Sequence, residues 1–335
     1  MNGPHPYARL SPEIVLDAIE CFGMPCTGAL TSLNSYENRV YLAETEDGSS
    51  VVAKAYRPGR WSDEEIVEEH RYVRELFQRE LPVTPPLALS RATGEDLSSS
   101  TLLHRAGFRF AVYPRIRGRA PELDRPGTLE WIGRLLGRIH AVGAIRPFQH
   151  RSRLSAENGA QSLLDELLAL PQLPLHLRDA FASAAASLLT AIAAKLRVAS
   201  EVRYIRLHGD CHPGNLLWTA AGPHFVDFDD CANGPAVQDL WMMLSGGPNE
   251  MGAQLGSLLA GYRQFHDFDP AELALIEPLR GLHAIRFCAW LGKRWSDPAF
   301  PRAFPWFGSE RYWEDQTLEL REQLERLDQI PALAD

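Results

Sequence analysis

The chain contains no apolar stretch that approaches the length of a membrane span. Its first residues, Met1-Asn2-Gly3-Pro4-His5-Pro6, lack the apolar core of a secretory leader. Cysteine is scarce: Cys21, Cys26, Cys211, Cys231 and Cys288 are odd in number and show no metal-ligand spacing with histidine. That pattern argues against a disulfide framework or a structural zinc site and fits a reduced cytoplasm. Positive charge is also short. The formal net charge of -9 argues against a general nucleic-acid binder, though a local basic cleft remains compatible with it. There is no internal repeat, no low-complexity tract beyond an Ala-rich helical stretch, and no long linker. What remains is a chain of 335 residues, 45% hydrophobic and 23% charged, with an ordinary globular composition. It is long enough for two domains or lobes, which must be joined by a short connection.

The most informative stretch is Leu207-His208-Gly209-Asp210-Cys211-His212-Pro213-Gly214-Asn215, followed by Phe225-Val226-Asp227-Phe228-Asp229. Leu216–Trp218 and His224–Val226 read as two short strands around the turn formers Thr219–Pro223. A hairpin here brings Asn215 and Asp227 to the same end of one ladder. Phosphoryl transfer needs a carboxylate to orient an acceptor hydroxyl and oxygen ligands for magnesium on nucleotide phosphates. Asp210 suits the first task, and Asn215 and Asp227 suit the second. Pro213-Gly214 supplies the bend that lets the two groups face different targets.

Upstream, Ser11 caps a short helix with Pro12 in its first turn. Segments around Leu30–Ser32, Val40–Leu42 and Val51–Tyr56, with a turn at Asp47-Gly48, read as an antiparallel sheet. The loop Leu33–Asn38 carries no glycine. Its backbone N–H groups and the Ser35 hydroxyl could hold a phosphate; the other reading is an ordinary hairpin loop. Lys54 is the only lysine in the N-terminal half and sits inside an apolar strand. A buried cation needs a partner, unless it lies on the outer face of the sheet. The helix expected over Ser62–Leu81, with Ser62 and Glu65 as a capping box, buries Ile66, Val73, Leu76 and Phe77. Glu69 falls on that stripe and is the expected partner of Lys54, with Glu68 second. Thr101–Leu103 and Phe108–Tyr113 add two strands, and from Thr128 the chain turns helical, with Leu163–Leu170, Leu177–Leu196 and Ala271–Trp295 among the later helices. His140 reads as a packed core histidine and Cys211 as a space-filling thiol, with a redox-sensitive thiol as its alternative. The aromatic-rich C-terminal third is either packing or a wall for an acceptor.

The pattern His-Gly-Asp-x-His-x-x-Asn with a following strand-borne Asp resembles the catalytic and metal loops of kinases with the aminoglycoside-phosphotransferase-like fold. These are relatives of the protein kinases with His-Gly-Asp in place of His-Arg-Asp. Together with Leu33–Tyr41 and Arg57–Trp61, the order and spacing of these segments resemble the bacterial stress response kinase A family over most of the length. The resemblance implies an α+β, bilobal, protein-kinase-like fold, with an N-lobe of residues 1–114 (sheet plus helix) and a mainly helical C-lobe of residues 115–335. It also implies a monomeric, cytoplasmic enzyme that depends on Mg2+ and ATP. That enzyme would phosphorylate serine or threonine in proteins, itself included, in a stress response, with neither nucleic-acid nor membrane partners.

Residue by residue, the resemblance makes Lys54 the lysine on the α and β phosphates, held by Glu69, and Ser35 part of a phosphate flap. Val112 to Arg115 become the adenine-binding connection. Arg115, Arg117 and Arg119 either steer phosphates or an acidic acceptor, or form a solvated connector. Asp239 becomes the brace of the catalytic loop, and Asp229 replaces the usual glycine, within reach of a second metal. Only eleven residues separate Asp227 from Asp239, which argues against control by activation-loop phosphorylation. Two alternatives stay open: a kinase of sugars, choline-like compounds or amino alcohols, and a nucleotide-binding pseudokinase scaffold.

Overall fold

The computed structural model describes residues 5–90, 100–154, 160–198 and 202–330. Helix α1 (Pro12–Glu20) starts where the Ser11 hydroxyl accepts the Ile14 N–H. Five antiparallel strands follow: β1 (Cys26–Ser32), β2 (Arg39–Thr45), β3 (Ser50–Ala55), β4 (Leu103–Arg105) and β5 (Phe108–Pro114), in the order β1-β2-β3-β5-β4. Alternation along β3 sends Val51, Ala53 and Ala55 to the face covered by α1, where they pack with Phe110 and Val112. Lys54 and Tyr56 therefore turn to the other face. There Tyr56 packs on Ile66 of helix α2 (Asp63–Gln78).

The capping box of α2 forms as the sequence indicates, with Ser62 and Glu65 each bonding the other's backbone N–H. The buried stripe differs from the expected one, losing Phe77 and gaining His70 and Tyr72. Phe77 is 55% exposed, and Ile66, Glu69, His70, Tyr72, Val73 and Leu76 face inward. The helix stops at Gln78, three residues before Leu81, because Glu80 takes a positive φ of 59°. Thr101 and Leu102 lie outside β4. The β4–β5 turn uses Ala106 and Gly107, both with positive φ, which matches the right-handed twist of the flanking strands.

The rest is mainly helical: α3 (Thr128–Gly143), α4 (Ala160–Leu168), α5 (Arg178–Val198), α6 (Val237–Trp241), α7 (Pro248–Tyr262), α8 (Ile276–Arg294), α9 (Ala299–Ala303) and α10 (Glu310–Arg326). A 3-10 turn, Pro270–Leu275, occupies the first part of the single helix expected over Ala271–Trp295. Two short ribbons are set into this half: β6 (Ile205–Leu207) with β9 (Ala232–Gly234), and β7 (Leu216–Thr219) with β8 (Gly222–Phe225). One core joins Tyr72 and Leu76 of α2 to Ile132, Leu136 and Ile139 of α3 and to Leu207, Leu216, Phe225 and Leu240, so the ribbons are gripped from both halves.

By length and composition alone, Leu175–Arg197 could cross a membrane, which corrects the expectation that no stretch approaches that length. Its residues Phe181, Ala185, Leu188 and Ile192 are instead buried in a second core with Ile285, Phe300, Phe307 and Trp313.

Candidate active site

Strand β6 delivers the loop that carries Asp210. Its pairing with β9, Leu207 opposite Ala232, lays His208-Gly209-Asp210 alongside Asp230 and Cys231. Gly209 has a φ of 88°, and a Cβ there would fall 2.0 Å from the Asp230 carbonyl oxygen. Neither strand of this ribbon can yield without disturbing the core. Gly209→Ala is therefore expected to cost about 3 kcal/mol or more from strain and overpacking together. Chemical denaturation would measure it, and a loss below about 1 kcal/mol would show that the loop is not held as described.

The loop is braced from behind by Asp239 on α6. Its carboxylate accepts the N–H groups of His208 and Gly209, each at 2.8 Å, and faces His140 Nε2 at 3.0 Å. His140 is fully buried and its Nδ1 lies 2.9 Å from the Tyr262 hydroxyl, so one tautomer, protonated on Nε2, satisfies both contacts. His208 Nε2 donates to the Val226 carbonyl at 2.9 Å, tying this loop to the next.

The β7–β8 ladder pairs Leu216 with Phe225, and the Val226 N–H donates to the Asn215 carbonyl at 3.0 Å. Asn215 and Asp227 thus stand at the same end of one hairpin. The Asn215 amide nitrogen donates to the Asp210 carbonyl at 2.8 Å and its carboxylate at 3.3 Å. Among the described residues, its side-chain oxygen is left without a hydrogen bond. Asp227 adopts a left-handed backbone with φ 59°, and its side chain is 51% exposed. Lys54 Nζ reaches Asp227 Oδ1 at 2.9 Å and Asp229 Oδ1 at 3.0 Å, with its side chain only 7% exposed. The lysine from the sheet and the aspartate from the hairpin, 173 positions apart, are in direct contact.

Asp210 is about one-third exposed, with His212 Nε2 3.5 Å from its Oδ2. Burial pushes the Asp210 carboxyl up, but the hydrogen bond and charge of His212, with His208 and His283 nearby, hold it below the usual carboxylate range. His212 is raised in turn, first by its hydrogen bond to Asp210. A histidine raised on folding adds stability that is complete below its unfolded pKa and lost as pH rises through its folded pKa. His212→Gln is therefore expected to lower the melting temperature more at pH 5.5 than at pH 8.5, about the ordinary histidine value of 6.5. Equal losses at both pH values would remove the His212–Asp210 pair from the account.

The expected Lys54–Glu69 pair does not form. Glu69 is buried on α2 as expected, but its carboxylate takes Arg151 Nη2 at 2.8 Å, while Lys54 goes to Asp227 and Asp229. Burial pushes the Glu69 carboxyl up to about 7 against the pull of Lys54 and Arg151. Glu68 is no substitute, since it accepts the N–H groups of Gln149, His150 and Arg151. Asp229 is buried and held by Lys54, Arg60 and the Asn38 amide at 3.1 Å, a set of cation and donor contacts rather than a free metal ligand. Burial works against its charge, and Lys54 and Arg60 together hold its carboxyl well below the usual range. Arg60 and Arg151 escaped the residue-level reading, because one arginine among many carries no local mark.

Ser35 is not a free donor. Its hydroxyl donates to the Asn38 carbonyl at 3.1 Å and accepts the Val40 N–H at 3.0 Å, so it shapes the loop from within. The Val112 carbonyl is buried and already accepts the Leu87 N–H at 2.7 Å, while Arg115 lies exposed just past β5. Cys211 is buried and its thiol is pushed well up by burial, which fits an inert thiol rather than a redox sensor. Phe300, Phe307 and Trp313 are buried as packing, while Phe304 reaches the ring of Tyr36 in the loop at 5.0 Å.

A model of the phosphotransferase enzyme family matches residues 30–276, so fold and site define an ATP-using phosphotransferase. The chain is 41% identical to stress response kinase A of Escherichia coli strain K12, over 98% of this chain and 97% of that protein. It is 42% identical to the serine/threonine protein kinase RdoA of Salmonella typhimurium strain LT2, over 97% of this chain and 96% of that protein. The solved structure of amicoumacin kinase hAmiN in complex with AMP-PNP, Ca2+ and Ami shares the fold, with a TM-score of 0.72 at 23% identity over 98% of this chain and 97% of that one. The chain belongs to the phosphotransferase enzyme family, in its stress response kinase A branch.

Proposed function

We propose that this kinase transfers the γ-phosphoryl group of magnesium–ATP to serine or threonine hydroxyls of proteins, itself included. In this reading it works as a cytoplasmic monomer in a bacterial stress response. The observation that carries the reading is the Lys54–Asp227 contact of 2.9 Å beside Asn215 and Asp210, which puts four polar groups of the right kind around one space. The nucleotide lies between an N-lobe of residues 1–114 and a C-lobe of residues 115–335. Adenine meets the backbone beyond Val112, toward Arg115. Lys54 binds the α and β phosphates, and Glu69 acts on Lys54 only at longer range, through the charge cluster of Asp229 and Arg151.

Asn215 and Asp227 offer hard oxygen donors at one hairpin end, which suits magnesium. Among the described residues no group of three His, Cys, Asp or Glu side chains is placed to hold a metal by itself. A magnesium ion here would complete its shell with phosphate oxygens and water. When bound, it neutralises charge building on the transferred phosphoryl group. Asp210 orients the hydroxyl and takes its proton late, since a loose transition state asks little basicity of it. The names of the relatives support a protein acceptor. The five cysteines, all unpaired, support a reducing compartment.

A second reading, a small-molecule kinase, is favoured by the fold shared with amicoumacin kinase. Purified enzyme with γ-labelled ATP, offered first a generic basic protein and then a panel of small alcohols, separates the two. Label on protein alone supports the proposal, and label on an alcohol alone overturns it in favour of the second reading. A nucleotide-dependent thermal shift with no turnover on any acceptor overturns both in favour of a scaffold.

A further inference from the structure

The loop from Leu33 to Asn38 is fixed by groups far from it in sequence. Three of its carbonyls are captured in a row. Tyr36 O accepts Arg57 Nη2 at 3.1 Å and Arg39 Nη1 at 3.2 Å. Glu37 O accepts Arg57 Nε at 2.9 Å and the Tyr7 hydroxyl at 3.0 Å. Asn38 O accepts the Ser35 hydroxyl at 3.1 Å. Among the described residues, the backbone N–H groups of Asn34, Ser35, Tyr36 and Glu37 make no hydrogen bond. Both arginines converge on a single buried carboxylate, Asp297, between α8 and α9. Arg39 Nη2 lies 2.7 Å from both of its oxygens, and Arg57 Nη2 lies 3.0 Å from Oδ2. A second tie joins the Glu37 side chain to Trp290 Nε1 at 2.6 Å and Arg294 Nη2 at 2.8 Å. At its other end, Asn38 contacts Asp229, the partner of Lys54.

We infer that Asp297 is a positioning residue for phosphoryl transfer: it fixes Arg39 and Arg57, which hold the loop carbonyls so that consecutive N–H groups stay free for the nucleotide phosphates. The inference rests on the proposed reading of this space as the ATP site. Successive backbone N–H groups in a turn can take up an anion when no other acceptor holds them. A glycine-rich loop presents such groups through backbone freedom; here, in a loop without glycine, two arginines and the carboxylate of Asp297 hold the carbonyls. Asp297 is buried and its carboxylate is taken up by Arg39, Arg57 and the Ala299 N–H, so its effect is expected to run through the loop.

The test compares wild type, Asp297→Asn, Asp297→Glu and Arg39→Met for kcat, KM for ATP, melting temperature, and affinity for AMP-PNP and for AMP in Mg2+. Asp297→Asn and Arg39→Met are expected to lose about tenfold or more in kcat and in AMP-PNP affinity, with AMP affinity unchanged. Asp297→Glu is expected to recover part of that loss, and the Asp297→Asn/Arg39→Met double variant to be no worse than Asp297→Asn alone. Equal losses for AMP and AMP-PNP that follow a fall in melting temperature would overturn the inference by making Asp297 merely structural; unchanged kinetics in both single variants would overturn it as well. Failure of the wild type itself to bind AMP-PNP would instead sink the reading of the site.

Discussion

Asp210→Ala is expected to lower phosphoryl transfer by about 10³-fold while leaving AMP-PNP affinity within about threefold of wild type. The asymmetry follows from geometry. The loop is held by Asp239 through the N–H groups of His208 and Gly209, and the Asn215 amide keeps its 2.8 Å bond to the Asp210 backbone carbonyl, so the side chain can go without releasing the loop. Lys54 and Asp227 do not depend on it. What goes is the carboxylate kept ionised beside His212, and His212 should then fall back toward its ordinary pKa. Label transfer and an NMR titration of His212 check the two halves of this expectation. Turnover close to wild type would remove Asp210 from the chemistry.

Asp227→Asn is expected to reduce transfer by about 10³-fold as well, but with a different signature, because in the proposed reading it removes one charge from the magnesium site. Asparagine is the better probe than alanine at this position. The backbone there is left-handed with φ 59°, and asparagine tolerates that where alanine adds about 1 kcal/mol of strain. Lys54 is not stranded by the change, since Asp229 remains 3.0 Å from its Nζ and keeps its charge compensated. The fold should survive, then, and the loss should appear as weaker magnesium-dependent binding of AMP-PNP together with the fall in rate. Titration calorimetry with and without Mg2+ measures it. An unchanged magnesium dependence would place the metal elsewhere.

Legibility in the sequence followed the range of the interactions. The capping box of α2 and the Ser11 cap are local and formed as read; the β7–β8 hairpin formed too, with a tighter turn than Thr219–Pro223, since Thr219 pairs with Gly222 and Pro223 lies in β8. Asn215 and Asp227 were legible for the same reason, since a hairpin of known turn residues dictates which ends meet. Lys54 was legible by rarity, one lysine in an apolar strand. Its partner was not, because the choice among Glu69, Asp227 and Asp229 depends on how α2 sits against the ribbons. Arg151 settles it by taking Glu69 from 82 positions away. The loop over residues 33–38 was legible as a loop without glycine, but its anchor at Asp297 lies 258 positions from Arg39, and no period or motif links them. The contact at Val112 was hidden for a related reason: a strand pattern does not reveal that Leu87 bonds its carbonyl.

In the proposed function Lys54, Asp210 and Asp227 surround one nucleotide, two of them on its phosphates and one on the acceptor side. Affinity for AMP-PNP in the presence of Mg2+, measured on wild type and on Lys54→Met, Asp227→Asn and Asp210→Ala, tests it most directly. A fall of about tenfold or more for the first two variants, with Asp210→Ala within about threefold of wild type, is the expected result. Affinity unmoved by Lys54→Met and Asp227→Asn would contradict it.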